Sequence, residues 1–175
     1  MTTITDFQQT PQEKQQLYLE KVNQFFWQVK EWLPEPFETV PTENALLEDK
    51  TGKYEVPRLS IIKKGVSTPD SVIANLLPEG ISFLTGEDLI EIKGAWDDEE
   101  VAYIRKQNLI HTVRHGKECL MDEGFEKEGW YWIIINQDKI RPITKEIFFE
   151  IIRRVSNQPV SLECKAYLAP GIPSS

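Results

Sequence analysis

Between Gly129 and Ser156 the apolar residues change their spacing from that of a strand to that of a helix. Trp130 to Ile135 is an unbroken run of aromatic and aliphatic, mostly β-branched residues, the composition of a buried pleated strand. Alternation puts Trp130, Trp132 and Ile134 on one face and Tyr131, Ile133 and Ile135 on the other. Both faces are apolar, so the strand is expected to be central and covered on both sides. Asn136, Gln137 and Asp138 then supply turn chemistry. From Thr144, a natural N-cap, Ile147, Phe148, Ile151, Ile152 and Val155 form one helical stripe.

The same reading extends along the chain. Thr10-Pro11-Gln12-Glu13 combines a capping threonine, a proline at the first helical position and a glutamate three residues after the cap. Tyr18, Val22, Phe25, Phe26, Val29, Trp32 and Leu33 continue it as a buried stripe, stopped by Pro34 and Pro36. Trp27 lies about half a turn from that stripe, on the face expected to meet solvent and, through its amphipathic ring, a partner. Phe37–Val40 and Ala45–Leu47 read as short extended pieces. Asp49-Lys50-Thr51-Gly52 reads as a turn and Tyr54–Lys63 as a strand, with Pro57 marking an edge or a bulge.

Thr68-Pro69-Asp70 repeats the helix-start chemistry, and Val72, Ile73, Leu76 and Leu77 predict a short helix ended by Pro78. Ile81–Leu84 and Asp88–Lys93 predict two strands around Thr85-Gly86-Glu87, followed by Val101–Arg105, Leu109–Arg114 and a final strand at Val160–Leu168. Short connections between successive strands imply an antiparallel meander. The expected fold is a single α+β domain over 10–168: a mostly antiparallel twisted sheet of about five to seven strands, packed by an N-terminal and a C-terminal helix. Residues 1–9 and 169–175 are expected to be flexible tails.

Composition narrows the class without naming a function. The 175 residues, 40% hydrophobic and 27% charged, suit one globular domain with a real core. No apolar run approaches the roughly 20 residues of a membrane-spanning helix, and the first residues lack a basic region followed by an apolar one. Cytoplasmic residence is therefore expected. Cys119 and Cys164 are too few for a disulfide framework and are expected to be thiols. A net charge of -8 disfavours nucleic acid and is compatible with a basic protein partner, although solubility alone is sufficient reason for it.

Three constellations are candidates for chemistry. His111, His115 and Cys119 have ligand types that suit zinc, but Ile110, Thr112 and Val113 favour a strand. There, residues four apart lie about 13 Å from one another, too far for one ion. No metal or cofactor is expected. Pro69-Asp70 followed by Glu91-Ile92-Lys93 resembles the PD-(D/E)xK nuclease motif. That resemblance implies a divalent ion held by Asp70 and Glu91, with Lys93 assisting water or charge at a phosphodiester. Glu91 and Lys93 also fit the wet face of an ordinary strand.

The third is surface charge. Trp96 precedes Asp97, Asp98, Glu99 and Glu100 in what reads as an acidic loop, and Glu118, Asp122, Glu123, Glu126 and Glu128 fill the next long connection. Together they predict an acidic rim anchored by Trp96, able to steer and hold a basic protein. The favoured expectation is a non-catalytic binding or regulatory protein, of inhibitor or immunity type. The nuclease is the alternative, and a small-ligand pocket between the sheet and the N-terminal helix is a third reading.

Overall fold

The computed structural model describes residues 9–67, 70–82, 87–105, 113–114, 117–118, 120–121, 127–137 and 139–158. Helix α1 spans Pro11–Trp32, and α2 spans Lys145–Ser156. Between them lie β1 (Phe37–Asp49), β2 (Gly52–Lys63), β3 (Val72–Ile81), β4 (Asp88–Gly94) and β5 (Asp98–Ile104). The short strands β6 (Val113–Arg114), β7 (Lys117–Glu118) and β8 (Leu120–Met121) follow, then β9 (Gly129–Ile134) and β10 (Lys139–Pro142). This is one α+β domain. Its sheet runs β1-β2-β3-β4-β5-β9-β10-β8, antiparallel throughout except that the two residues of β8 pair parallel to β10.

The helices form where their caps and stripes require. Thr10 accepts from the Glu13 N–H while the Glu13 carboxylate accepts from the Thr10 N–H, a reciprocal cap that satisfies two otherwise orphaned donors. Thr144 caps α2 by accepting from the Ile147 N–H. Both helices bury their apolar stripes on the same face of the sheet, against Leu59, Ile61, Leu76, Ile90, Ile92, Val101, Trp132 and Ile134. Trp132 and Ile151 belong to this one core. On the opposite face Ala102, Ile104, Tyr131, Ile133 and Ile140 form a second, smaller buried cluster. β9 is thus buried on both faces, and Ile135 leaves it in a 3-10 turn with its side chain exposed.

Two prolines sit where the ladder tolerates a missing donor. Pro57 lies opposite a bulge in β1, between the pairs Thr42–Arg58 and Ala45–Val56. Pro78 lies past the last β2–β3 pair, Leu59–Leu76, next to a bulge at Glu79. Gly80 closes that bulge with φ +84, and a Cβ there would meet the Asp49 carboxylate and Leu47 at 2.7 Å.

The helix expected over Val72–Leu77 is not formed; the segment is β3. Ile73 is an extra residue between the pairs Ile61–Ala74 and Ile62–Val72, so it and Ala74 are both buried in succession. That bulge breaks the strand's alternation and leaves a spacing that mimics a helix. The two weak pieces at Phe37–Val40 and Ala45–Leu47 are one bulged strand, and Lys139–Pro142, to which the sequence reading assigns no element, is β10. The tails other than Gln9, the strand at Val160–Leu168, Cys119, Cys164 and the two histidines lie outside the described residues. No helix among the described residues is long and apolar enough to cross a membrane.

Candidate functional site

The register of β4 decides the nuclease resemblance. Glu91 stands opposite Leu77 of β3, and Lys93 opposite Asn75. Asp70 is in the exposed turn that leads into β3, seven residues before Leu77. Val72, where β3 begins, is already roughly 15 Å along the strand from Leu77 at about 3.3 Å per residue, and Asp70 lies in the turn before it. One magnesium ion with oxygen ligands near 2.1 Å cannot be shared across that span. Asp70, Glu91 and Lys93 therefore do not converge. Among the described residues no group of three His, Cys, Asp or Glu side chains is placed to hold a metal ion.

Glu91 belongs instead to a different set. Ile90 and Ile92 point into the helix-side core, so Glu91 faces the other way, as does Glu100, its direct partner on β5. The adjoining pair on that face is Lys93–Asp98. Glu79, in the β3 bulge, has its carboxyl raised above the ordinary range by burial first, and then by Glu91, Glu100 and Asp98. Four carboxylates are thus gathered on the outer face of β3–β5. Like charges directly opposite one another in a sheet are destabilising.

The stretch Trp96–Glu100 is not one acidic loop. β5 begins at Asp98, and its alternation sends successive acids to opposite faces. Glu99 turns inward and is only 9% exposed. Its two oxygens accept from Trp132 Nε1 at 2.8 Å and Arg154 Nε at 2.6 Å. Burial nevertheless holds its carboxyl above the ordinary range, against the lowering effects of Trp132 and Arg154. Glu99 ties β5 and β9 to α2, so it leaves the expected rim, while Asp97 and Asp98 remain exposed.

Trp96 has a fixed backbone and a free ring. Its N–H and that of Asp97 donate to the Val155 carbonyl at 2.9 and 3.3 Å, closing the C-terminus of α2. The ring is 73% exposed. Trp27 is 63% exposed on the outward side of α1, across the sheet from Glu91 and Glu100, so the two tryptophans do not share a surface with the same acids. Of the second acidic connection, Asp122, Glu123 and Glu126 lie outside the described residues, and Glu128 accepts from the Tyr103 hydroxyl.

A further polar network has a structural role. Asp49 accepts from the Thr51 N–H and hydroxyl, the Tyr54 hydroxyl and the Ile81 N–H. Burial raises its carboxyl, but those donors together outweigh burial and hold it below the ordinary value. Tyr18 accepts from the Gly80 N–H and donates to the Leu89 carbonyl, and burial pushes its hydroxyl far up. Lys21 pairs with Asp88 at 3.0 Å. The Asp49 bonds join the end of β1 to β2 and β3, and those of Tyr18 and Lys21 fasten α1 to β3 and β4. Comparison of the chain with protein-family models, curated proteins and solved structures finds no match.

Proposed function

We propose that this protein is a non-catalytic binding protein, of inhibitor or immunity type, that holds a basic protein partner on the outer face of β3–β5. The observation that carries the reading is Glu91 set directly opposite Glu100, with Glu79 and Asp98 beside them. A sheet gains nothing from facing its own carboxylates together. Lysines or arginines of a partner would meet four carboxylates and one cation, Lys93, on this face. Trp96 supplies the apolar anchor at the same end of the hairpin, and its tied backbone means little freedom is lost when the ring is covered. A cytoplasmic setting fits a chain with two cysteines and no disulfide framework.

The test is capture from the native host followed by binding kinetics with the recovered partner. The double variant Glu91→Gln/Glu100→Gln slows association and flattens its salt dependence, because exposed charges act chiefly on encounter. Trp96→Ala speeds dissociation, because buried aromatic anchors hold a formed complex. Equal rates for wild type and both variants refute the reading.

A further inference from the structure

The sheet is open along β1. That strand is terminal in the sheet and pairs only with β2 among the described residues. At 13 residues it is long for an edge, where unpaired backbone groups invite a further strand. One half is guarded. The Phe37 N–H donates to the Pro34 carbonyl, Pro41 has no donor, and a bulge interrupts the strand between Thr42 and Ala45. From Ala45 to Asp49 no proline or bulge intervenes. Asp49 faces Gly52 across the two-residue turn Lys50–Thr51, where opposed residues exchange their backbone bonds. Counting back in twos, Leu47–Tyr54 and Ala45–Val56 do the same. Leu46 and Glu48 therefore turn their N–H and C=O groups away from β2, into the open edge.

The side chains of that stretch are complementary to a second copy of themselves. Ala45 and Leu47 pack against the main core, so alternation puts Asn44, Leu46 and Glu48 on the outer face. Leu46 is 71% exposed there. In an antiparallel pair, outward-turned residues must oppose outward-turned residues, which restricts the registers. Leu46 opposite Leu46 of a second copy sets Glu48 opposite Asn44 and Ala45 opposite Leu47. Apolar then meets apolar on both faces, and the carboxylate meets an amide able to donate to it. Glu43 falls opposite Asp49, whose carboxylate is turned into its own donors. Glu48 also keeps Lys53 of its own β2 at 3.8 Å. The next register sets Leu46 against Glu48, and the one after it sets Glu48 against Glu48, like charges face to face. A shift the other way sets Leu46 against Asn44 and runs the pairing into the bulge.

We infer that β1 is a self-association edge: two copies of this chain pair antiparallel through Asn44–Glu48, with the two-fold axis at Leu46, and so join their sheets into one. That axis stands perpendicular to the sheet, so both outer faces lie on one side of the dimer. The acidic faces of β3–β5 are separated from the joint by β2 and stay open. The dimer does not depend on the partner proposed above.

Sedimentation equilibrium of the whole chain over a wide range of concentrations, with backbone amide exchange followed by NMR, tests it. The expected result is a monomer–dimer equilibrium in which the Leu46 and Glu48 N–H groups become protected as the dimer fills. Those of Ala45 and Leu47, already bonded to β2, are protected at every concentration. Leu46→Lys, at an exposed position, sets two cations face to face and weakens dimerisation by about tenfold or more with an unchanged circular dichroism spectrum. A monomer at every soluble concentration, a dimer in which Leu46 and Glu48 exchange as freely as in the monomer, or equal dimerisation of Leu46→Lys overturns the inference. Cross-linking reads the register in a Cys119→Ser/Cys164→Ser background. Opposed residues that exchange bonds lie about 5.5 Å apart between Cα atoms, within disulfide reach. Mild oxidation is therefore expected to link two copies of Leu46→Cys and to leave Glu48→Cys unlinked, since its two copies stand about 13 Å apart along the strands. Linking of Glu48→Cys in preference to Leu46→Cys overturns the pairing described.

Discussion

Gly94→Ala is the sharpest perturbation of the joint between sheet and helix. A Cβ on Gly94 would stand 2.2 Å from the Val155 carbonyl oxygen and 2.4 Å from its carbon, against 3.4 Å or more for an ordinary contact. Both obstacles are helix backbone, so no side-chain rotation makes room. The end of α2 must move away from β4, straining a packed core by about 1–3 kcal/mol. The same movement pulls Val155 away from the Trp96 and Asp97 N–H groups, each bond contributing about 0.5–1.5 kcal/mol. The expected loss is about 2–6 kcal/mol, a fall in Tm of about 4–24 °C for a chain of this length. Urea unfolding followed by tryptophan fluorescence measures it. Gly129→Ala is the control, because nothing lies within 4 Å of its added Cβ. That control should change stability by no more than about 0.5 kcal/mol. If the Gly94→Ala and Gly129→Ala midpoints coincide with wild type, α2 does not dock on Gly94 as described.

Trp132→Ala removes a buried indole from the main core and takes from Glu99 one of its two donors, so a loss of about 3–5 kcal/mol is expected in the same urea assay; an unchanged midpoint contradicts the place given to β9. Asp49 gives a pH signature: its folded carboxyl lies below the ordinary value of 3.8, so its contribution is present above that value and lost as pH falls through the folded one. Glu79 and Glu99 are raised instead, so their effect on stability has the opposite sign, and the loss of stability on the acid side should be shallower in Asp49→Asn; an unaltered slope refutes the network. Glu91→Gln removes one of two facing like charges and should raise stability at neutral pH by about 0.2–1 kcal/mol in urea; a loss of stability means Glu91 is structural.

Both helices and β9 could be read from the sequence because their signals are local. Thr10, Pro11 and Glu13 write the first cap, Thr144 the second, and Trp130–Ile134 is apolar on both faces as a doubly covered strand must be. β3 misled because its bulge at Ile73 erases the alternation that marks a strand, and Pro78 then looked like a helix stop. β10 is four residues with only Ile140 fully buried, held by pairing that no window of its own sequence contains.

The acidic residues were visible as a run, but their faces were not. Asp98, Glu99 and Glu100 differ in fate because β5 starts three residues earlier than its apolar core suggests. Glu79, Glu91 and Glu100 come from three strands and meet only through register.

One titration bears on the acidic face before any natural partner is known. A ten-residue lysine peptide is added to the whole chain while backbone amide shifts are followed, first at low and then at moderate salt. Saturable shifts should gather at residues 77–81, 89–93 and 96–102, weaken with salt, and largely vanish in Glu91→Gln/Glu100→Gln. Shifts spread over the whole acidic surface, or unchanged in that variant, contradict a basic-partner site on the outer face of β3–β5.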